Sequence, residues 1–194
     1  MPSQKTIIIN DKPFVKKLSE IKEALRIELV SRTEQEKLWN QLVKSYHYLG
    51  YNKTIGRRVK YLVWFEDRPL AAIGYNQAVY KLKVRDTFIG WNEEKRKEQL
   101  PHVLNNYRYL ILPWVQVKNL ASHIIALSIK QLKKDWPLLY GVEPYILETF
   151  VDFDQYKGTC YRASNWHYVG KTSGFAKVGA TYQYHGNKKG VFLY

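Results

Sequence analysis

The chain has 194 residues, of which 45% are hydrophobic and 25% charged, so it is long enough to bury a core as one ordinary domain. Its net charge is +14, and it carries 16 Tyr and 6 Trp but a single cysteine, Cys160, which excludes an internal disulfide and a cysteine-rich zinc site. No apolar run approaches the roughly 20 residues of a membrane span, and the first ten residues lack a signal-peptide core, so a cytoplasmic protein is expected.

Residues 1–10 read as a loose leader with an apolar run, Ile7 to Ile9. From Asp11 to about Val30, Phe14, Val15, Leu18, Ile21, Leu25 and Leu29 fall on one helical stripe, predicting a helix. With residues 1–32 this forms an expected N-terminal helical extension, ahead of a main domain over 33–194. A second helix is predicted from Ser31, where two S/T-x-x-E patterns fit a capping box, with Leu38, Trp39, Leu42, Val43 and Tyr46 on its buried face. The stretch Tyr46 to Lys60 is a loop rich in Tyr, Gly and basic residues; its His47 is either an acid–base group or a packing residue. Val59–Phe65 and Leu70–Tyr80 form a hairpin around Glu66-Asp67-Arg68-Pro69, and Gly74 marks a bulge or a close backbone approach. Asn92 opens a short charged helix ending before Pro101, and Asn105, Asn106 and Arg108 precede a buried strand over Leu110–Val117, where they line a pocket or simply form a loop. Asn119 then opens a long helix, Tyr145–Val151 is a strand, and a short polar helix and further strands follow. The order predicts an α/β (α+β) fold: a mixed sheet with helices on its faces.

The positive charge is unevenly placed. No acid lies between Glu36 and Glu66, where Lys53, Arg57, Arg58 and Lys60 fall, and none follows Asp154, where Lys157, Arg162, Lys171, Lys177, Lys188 and Lys189 alternate with Trp166, Tyr168, Phe175, Tyr182 and Tyr184. Cations neutralise phosphates and aromatic faces stack on unpaired bases, so this interleaving suits a nucleic-acid surface. The expected contacts are Lys53, Arg57, Arg58, Lys60, Arg108, Arg162, Trp166 and Lys171. The competing reading is a solvated cationic face over an aromatic-rich core.

Glu148 is a carboxylate inside the apolar strand Tyr145–Val151, which is costly unless it is paired or functional. It is the candidate general base, with an ion pair to Arg108 or Arg162 as the alternative role. Cys160 is a possible nucleophile or a small buried residue. The histidines show no H-x-x-x-H or H-E-x-x-H pairing, so no metal site is expected. His123, Glu148 and Asp152 would form a nuclease-like cluster only through tertiary contact.

Two resemblances accompany these residues. The runs LILPWVQVKNLASH, ETFVD, GTCYRASNW and VGKTSG, with YHYLGY and IGWNEE upstream, resemble the DruA family of the Druantia anti-phage systems, members of which also occur beside transposases. That resemblance covers roughly residues 45–175 and implies a role in phage defence or a mobile element, with DNA and other defence subunits as partners. The strand–loop–helix around 110–132 is similar to the GCN5-related N-acetyltransferases, which implies a mostly antiparallel sheet flanked by helices. Their acyl-CoA pyrophosphate loop, Q/R-x-x-G-x-G/A, falls on Gln116-Val117-Lys118-Asn119-Leu120-Ala121, and their Tyr-x-x-x-Gly-Phe falls on Tyr161 to Trp166, which makes Tyr161 the implied general acid and acetyl-CoA a possible cofactor. Asn119 and Asn165 replace glycines of those patterns.

Overall fold

The computed structural model describes residues 9–178, 181–184 and 186–194; the first eight residues, with Ile7 and Ile8 of the leader, lie outside, as do the side chains of Lys177 and Tyr182. The chain builds a seven-stranded sheet in the order β2-β3-β4-β5-β7-β11-β8. Its strands are β2 (Leu25–Leu29), β3 (Arg58–Phe65), β4 (Arg68–Gln77), β5 (Val103–Ile111), β7 (Ile146–Val151), β8 (His167–Lys171) and β11 (Gly190–Leu193). Every neighbouring pair is antiparallel except β5 and β7, which run parallel and are joined by the long helix α5 (Leu120–Tyr140). Outside the sheet, β1 (Phe14–Val15) pairs with β6 (Val115–Gln116), and β9 (Phe175–Val178) pairs with β10 (Thr181–Tyr184).

The sheet is apolar on both faces because alternate residues of its central strands serve different cores. Leu62 and Ala72 join Trp39, Leu42, Leu112 and Leu120 beneath α2 (Gln35–Tyr46). Tyr61, Ile73 and Tyr75 join Ile125, Leu132, Trp136 and Phe192 beneath α5. A third cluster, Leu82, Val191 and Leu193, lies against α3 (Lys83–Ile89). Helix α4 (Glu93–Gln99) starts as its sequence predicts, with Asn92 accepting a hydrogen bond from the Lys95 backbone N–H.

Two expectations need correction. The stripe over 11–30 is not one helix but β1, a single turn α1 (Leu18–Ile21), a 3-10 turn and β2. Leu25–Leu29 pairs with Phe65–Tyr61 and is the sheet's outer strand, so this stretch is bonded into the sheet and is not a separate helical extension. The buried strand starts earlier than Leu110: Asn105, Asn106 and Arg108 lie within β5, while Pro113 and Trp114 end it. The hairpin and Gly74 behave as read. The β4–β5 register shifts after Gly74, and a Cβ there would stand 2.8 Å from Tyr107 Cε1 and 3.0 Å from Trp39 Cζ2.

Candidate functional site

The site begins with a break in the sheet. Gly74 pairs with Arg108 and Tyr75 with Asn106, leaving Tyr107 as an extra residue in β5, a bulge that twists the strand. The Asn106 side chain takes up the slack by donating to Gly74 O at 3.0 Å and Arg108 O at 3.2 Å. Pairing of β5 with β7 ends at Asn106–Thr149, although β5 runs on to Ile111 and β7 to Val151. The two strands part beyond that point.

Tyr161 fills the apex of the gap. It stands on the short helix α6 (Thr159–Arg162), which Gly158 opens at φ +69°; a Cβ on Gly158 would lie 2.8 Å from Phe192 Cζ, so only glycine lets the helix sit this close to the sheet. The Tyr161 hydroxyl donates to Asn106 Oδ1 at 2.6 Å, and Thr149 Oγ1 lies 3.3 Å from it and 3.1 Å from Asn106 O. Burial pushes the Tyr161 phenol far above its ordinary value, so it stays protonated. Tyr109 O–H donates to Ala121 O at 2.6 Å, binding β5 to the start of α5.

Around this apex lies a cleft of about 290 Å³, lined among others by His47, Tyr48, Asp152, Tyr156 and Cys160. Tyr48 and Tyr156 are 40% and 52% exposed at its mouth. The His47 and Tyr48 rings stack at 4.9 Å, and Tyr48 and Tyr156 meet at 5.3 Å. Burial, then Arg108 and Lys189, hold the His47 imidazole down to about 4, and its Nδ1 accepts from Leu49 N–H at 3.1 Å. Burial, then Asp152, raise the Tyr48 phenol. Burial also raises the Cys160 thiol, which makes it a poor nucleophile at neutral pH.

A second cavity, about 370 Å³, lies where α5 meets α6 and is lined by Asn119, Ser122, His123, Ser164, Asn165 and Tyr194. Ser164 Oγ lies 2.7 Å from Cys160 O and 3.2 Å from Ser122 O, close to the start of α5. Asn119 and Asn165 both adopt φ +64°, the left-handed conformation their side chains tolerate best after glycine, so the backbone turns that glycine would supply are kept. Gln116, Lys118 and Asn119 are exposed, Val117 and Ala121 half-buried. His123 Nε2 is buried with no hydrogen-bond partner among the described residues.

The sequence candidates therefore fall in separate places. Tyr161 and Asp152 reach the cleft, and His123 lies in the second cavity. Glu148 reaches neither. Fully buried, it accepts from Arg85 Nη1 at 2.8 Å and from Val79 N–H at 3.2 Å, on the face of β7 opposite Thr149. Burial pushes its carboxyl up and the guanidinium pulls it back. Its partner is neither Arg108 nor Arg162 but Arg85, on α3, a helix whose sequence signals are Leu82 and Ile89 seven residues apart and Gly90 as a left-handed C-cap. His123, Glu148 and Asp152 do not assemble, and no group of three or more His, Cys, Asp or Glu suited to a metal occurs among the described residues.

The expected nucleic-acid contacts divide as well. Lys53, Arg57, Arg162 and Lys171 are exposed. Arg58 is half-buried with Glu36 at 3.9 Å, and Arg108 is half-buried with its Nε donating to Gly50 O. Lys60 and Trp166 need correction. Lys60 is 1% exposed and bonds Glu36 and Asn40 at 2.7 Å each beneath the Trp39 and Tyr51 rings. Trp166 is 3% exposed and packs edge-on against Tyr161 at 5.1 Å. Strand alternation turned the first inward, and the turn after α6 buried the second.

Comparison with known proteins places these features. The model of the family described as Druantia protein DruA matches residues 3–190. A curated relative, the Druantia protein DruA of Escherichia coli strain UMEA 4076-1, is 33% identical over 90 residues; the match spans 44% of this chain and 22% of that protein. Among solved structures, the aminoglycoside acetyltransferase AAC(6')-Ib in complex with coenzyme A and kanamycin has a TM-score of 0.55 at 12% identity, covering 88% of this chain and 94% of that one. A Bacillus subtilis acetyltransferase in complex with CoA gives 0.54 at 11% identity, covering 87% and 97%. The ribosomal-protein-S18-alanine N-acetyltransferase of Escherichia coli gives 0.52 at 8%, covering 87% and 90%. The mixed, mostly antiparallel sheet flanked by helices is thus an acetyltransferase-like fold. No helix among the described residues is long and apolar enough to cross a membrane.

Proposed function

The chain belongs to the Druantia DruA family, and from that premise we propose that it is a nucleic-acid-binding component, for DNA, of an anti-phage defence system, working alongside other subunits on an acetyltransferase-like scaffold. One observation carries the reading: apart from Lys37 and Arg58, the surface cations of the two acid-free windows have no carboxylate partner among the described residues. Elsewhere Arg26, Lys95 and Lys97 are each paired with a glutamate within 3.1 Å. Lys53, Arg57, Lys157, Arg162 and Lys171 are exposed and form no ion pair among the described residues. Unpaired cations leave phosphate as the natural counter-charge.

The test is fluorescence anisotropy of labelled DNA against salt, for the wild type and the double variant Lys53→Ala, Arg57→Ala. Each phosphate contact contributes about 0.7–0.9 to the slope of log K against log salt, so the variant should bind more weakly across sequences with a slope shallower by about 1.4–1.8. An unchanged slope would remove these residues from the interface. No binding at low salt would end the proposal.

A second reading, acyl-CoA-dependent N-acyl transfer, is favoured by Tyr161 standing in the gap between β5 and β7. The residues at the head of α5 fit the cofactor: Asn119 keeps the glycine-like turn, the first-turn amides of Ala121 and Ser122 are available to a phosphate, and Lys118 is exposed beside them. Acyl-CoA would supply a thioester carbonyl for transfer. Tyr161, protonated through burial, would hold a proton at its hydroxyl, while Glu148, committed to Arg85, would take no part. Acetyl-CoA at about 100 times its Kd should stabilise the protein by about 2.7 kcal/mol, or about 5–11 °C in Tm for a chain of this size. No shift would leave the fold without the activity.

A further inference from the structure

The cleft between β5 and β7 is equipped unlike the other cavities. Its mouth carries three aromatic rings in contact, His47, Tyr48 and Tyr156, with the last two well exposed. Two cations stand beside them. Arg108 and Lys189 are close enough to oppose protonation of His47, and Arg108 Nη2 makes no hydrogen bond among the described residues. The imidazole is therefore neutral at physiological pH, and because Nδ1 accepts from Leu49 N–H, its Nε2 carries the proton and is a donor. A carboxylate stands among these cations, close enough to Tyr48 to raise its phenol. Asp152 accepts from Asp154 N–H at 3.2 Å and from Asn187 Nδ2 at 3.3 Å, one bond per oxygen among the described residues. At about 290 Å³ the cleft stands at the low end of the roughly 300–1,000 Å³ of small-molecule sites, which suits one flat ring system.

This arrangement sorts the parts of a nucleotide. A phosphate is drawn to Arg108 and Lys189, which stand beside the rings. A base has π-faces for Tyr48 and Tyr156 and, in adenine, cytosine and guanine, an exocyclic amino group for a carboxylate. We propose that the cleft between β5 and β7 receives an unpaired nucleobase of the bound strand, stacked at the mouth on Tyr48 and Tyr156 with its phosphates held outside. The inference rests on the nucleic-acid reading above and adds to it where the strand is gripped and that the strand is single there.

The experiment compares binding of two labelled single strands of equal length, one with normal bases and one built of abasic sites, to the full chain and to its variant Tyr48→Ala, Tyr156→Ala. Both tyrosines are exposed, and an unchanged melting temperature verifies that the variant folds. Base stacking on aromatic side chains predicts a loss of about 5- to 150-fold for the variant on the base-bearing strand and equal affinities of the two proteins for the abasic strand. Equal affinities on both strands, with salt-dependent binding intact, would overturn the cleft assignment while leaving the nucleic-acid function standing. An equal loss on both strands would mean that the rings meet backbone and would also overturn it. No binding of either strand with duplex DNA still bound would overturn the cleft assignment alone, and no binding of any DNA at low salt would overturn both proposals together.

Discussion

Replacing Glu148 by leucine separates a structural carboxylate from a catalytic one. In the folded chain Glu148 and Arg85 are both fully buried and 2.8 Å apart, and Arg85 also bonds Asp86, which Arg96 approaches at 3.4 Å. The four charges cancel. Removing Glu148 leaves one uncompensated positive charge and takes the acceptor from Val79 N–H. Breaking a buried pair costs about 3–5 kcal/mol, and the Asp86 carboxylate that remains on Arg85 sets the expectation at the lower end, about 3–4 kcal/mol. For a chain of this size that is a fall in Tm of about 6–16 °C. Thermal unfolding followed by circular dichroism measures it, and the double variant Glu148→Leu, Arg85→Met should recover most of the loss because it removes both charges. Glu148→Gln keeps an oxygen for Val79 and should fall between the wild type and the leucine variant. A Tm for Glu148→Leu within a degree or two of the wild type would refute the argument and return Glu148 to the catalytic candidates.

Other outcomes follow from the same geometry. His47 is held near 4 in the folded chain against 6.5 for the free group, so the unfolded chain binds its proton first; the stabilising contribution is complete above about pH 6.5 and is lost as pH falls toward 4. Between pH 7 and pH 5 the loss is about 2 kcal/mol undiscounted and about 1 kcal/mol after solvent screening of this half-buried ring, and His47→Gln should flatten the acid limb by that amount in urea titrations. An acid limb identical in the two proteins would show that the ring contributes nothing. Tyr161→Phe strips Asn106 Oδ1 of its 2.6 Å donor inside the sheet and should cost about 1–3 kcal/mol in chemical denaturation; a neutral result would mean that water replaces the hydroxyl. Gly74→Ala drives a methyl to 2.8 Å from Tyr107 and 3.0 Å from Trp39, and an overpacking loss of about 1–3 kcal/mol is expected by the same assay.

What the sequence disclosed depended on the range of the interaction. Leu38, Trp39, Leu42 and Val43 declared their buried face because a helix repeats within a few residues, and Gly74 declared a close approach because nothing larger fits. The stripe over 11–30 misled because Phe14, Leu18, Ile21, Leu25 and Leu29 satisfy helical spacing, yet Leu25–Leu29 gains more by pairing with β3 than by extending a helix. Glu148 was legible as an anomaly but its partner was not, since Arg85 stands 63 residues away. Lys60 and Trp166 looked like surface groups from their basic and polar neighbours, and only the folded sheet reveals the Glu36–Asn40 socket and the Tyr161 ring that bury them. The cleft mouth was the least legible feature, because Tyr48 and Tyr156 meet only after the central strands are in place.

The position of β11 has a bearing on synthesis. It lies inside the sheet, hydrogen-bonded to β7 on one side and β8 on the other, yet it follows every other strand of that sheet along the chain. At about 5–20 residues per second, the 39 residues separating Val151 from Gly190 take about 2–8 s to add. Throughout that interval the flank of β7 beyond β5 is an unpaired edge, the buried Phe192 is missing from the cluster beneath α5, and α3 lacks Val191 and Leu193 to rest on. The nascent chain is thus exposed to misassociation until β11 emerges, and β11 acts as the wedge that closes the sheet.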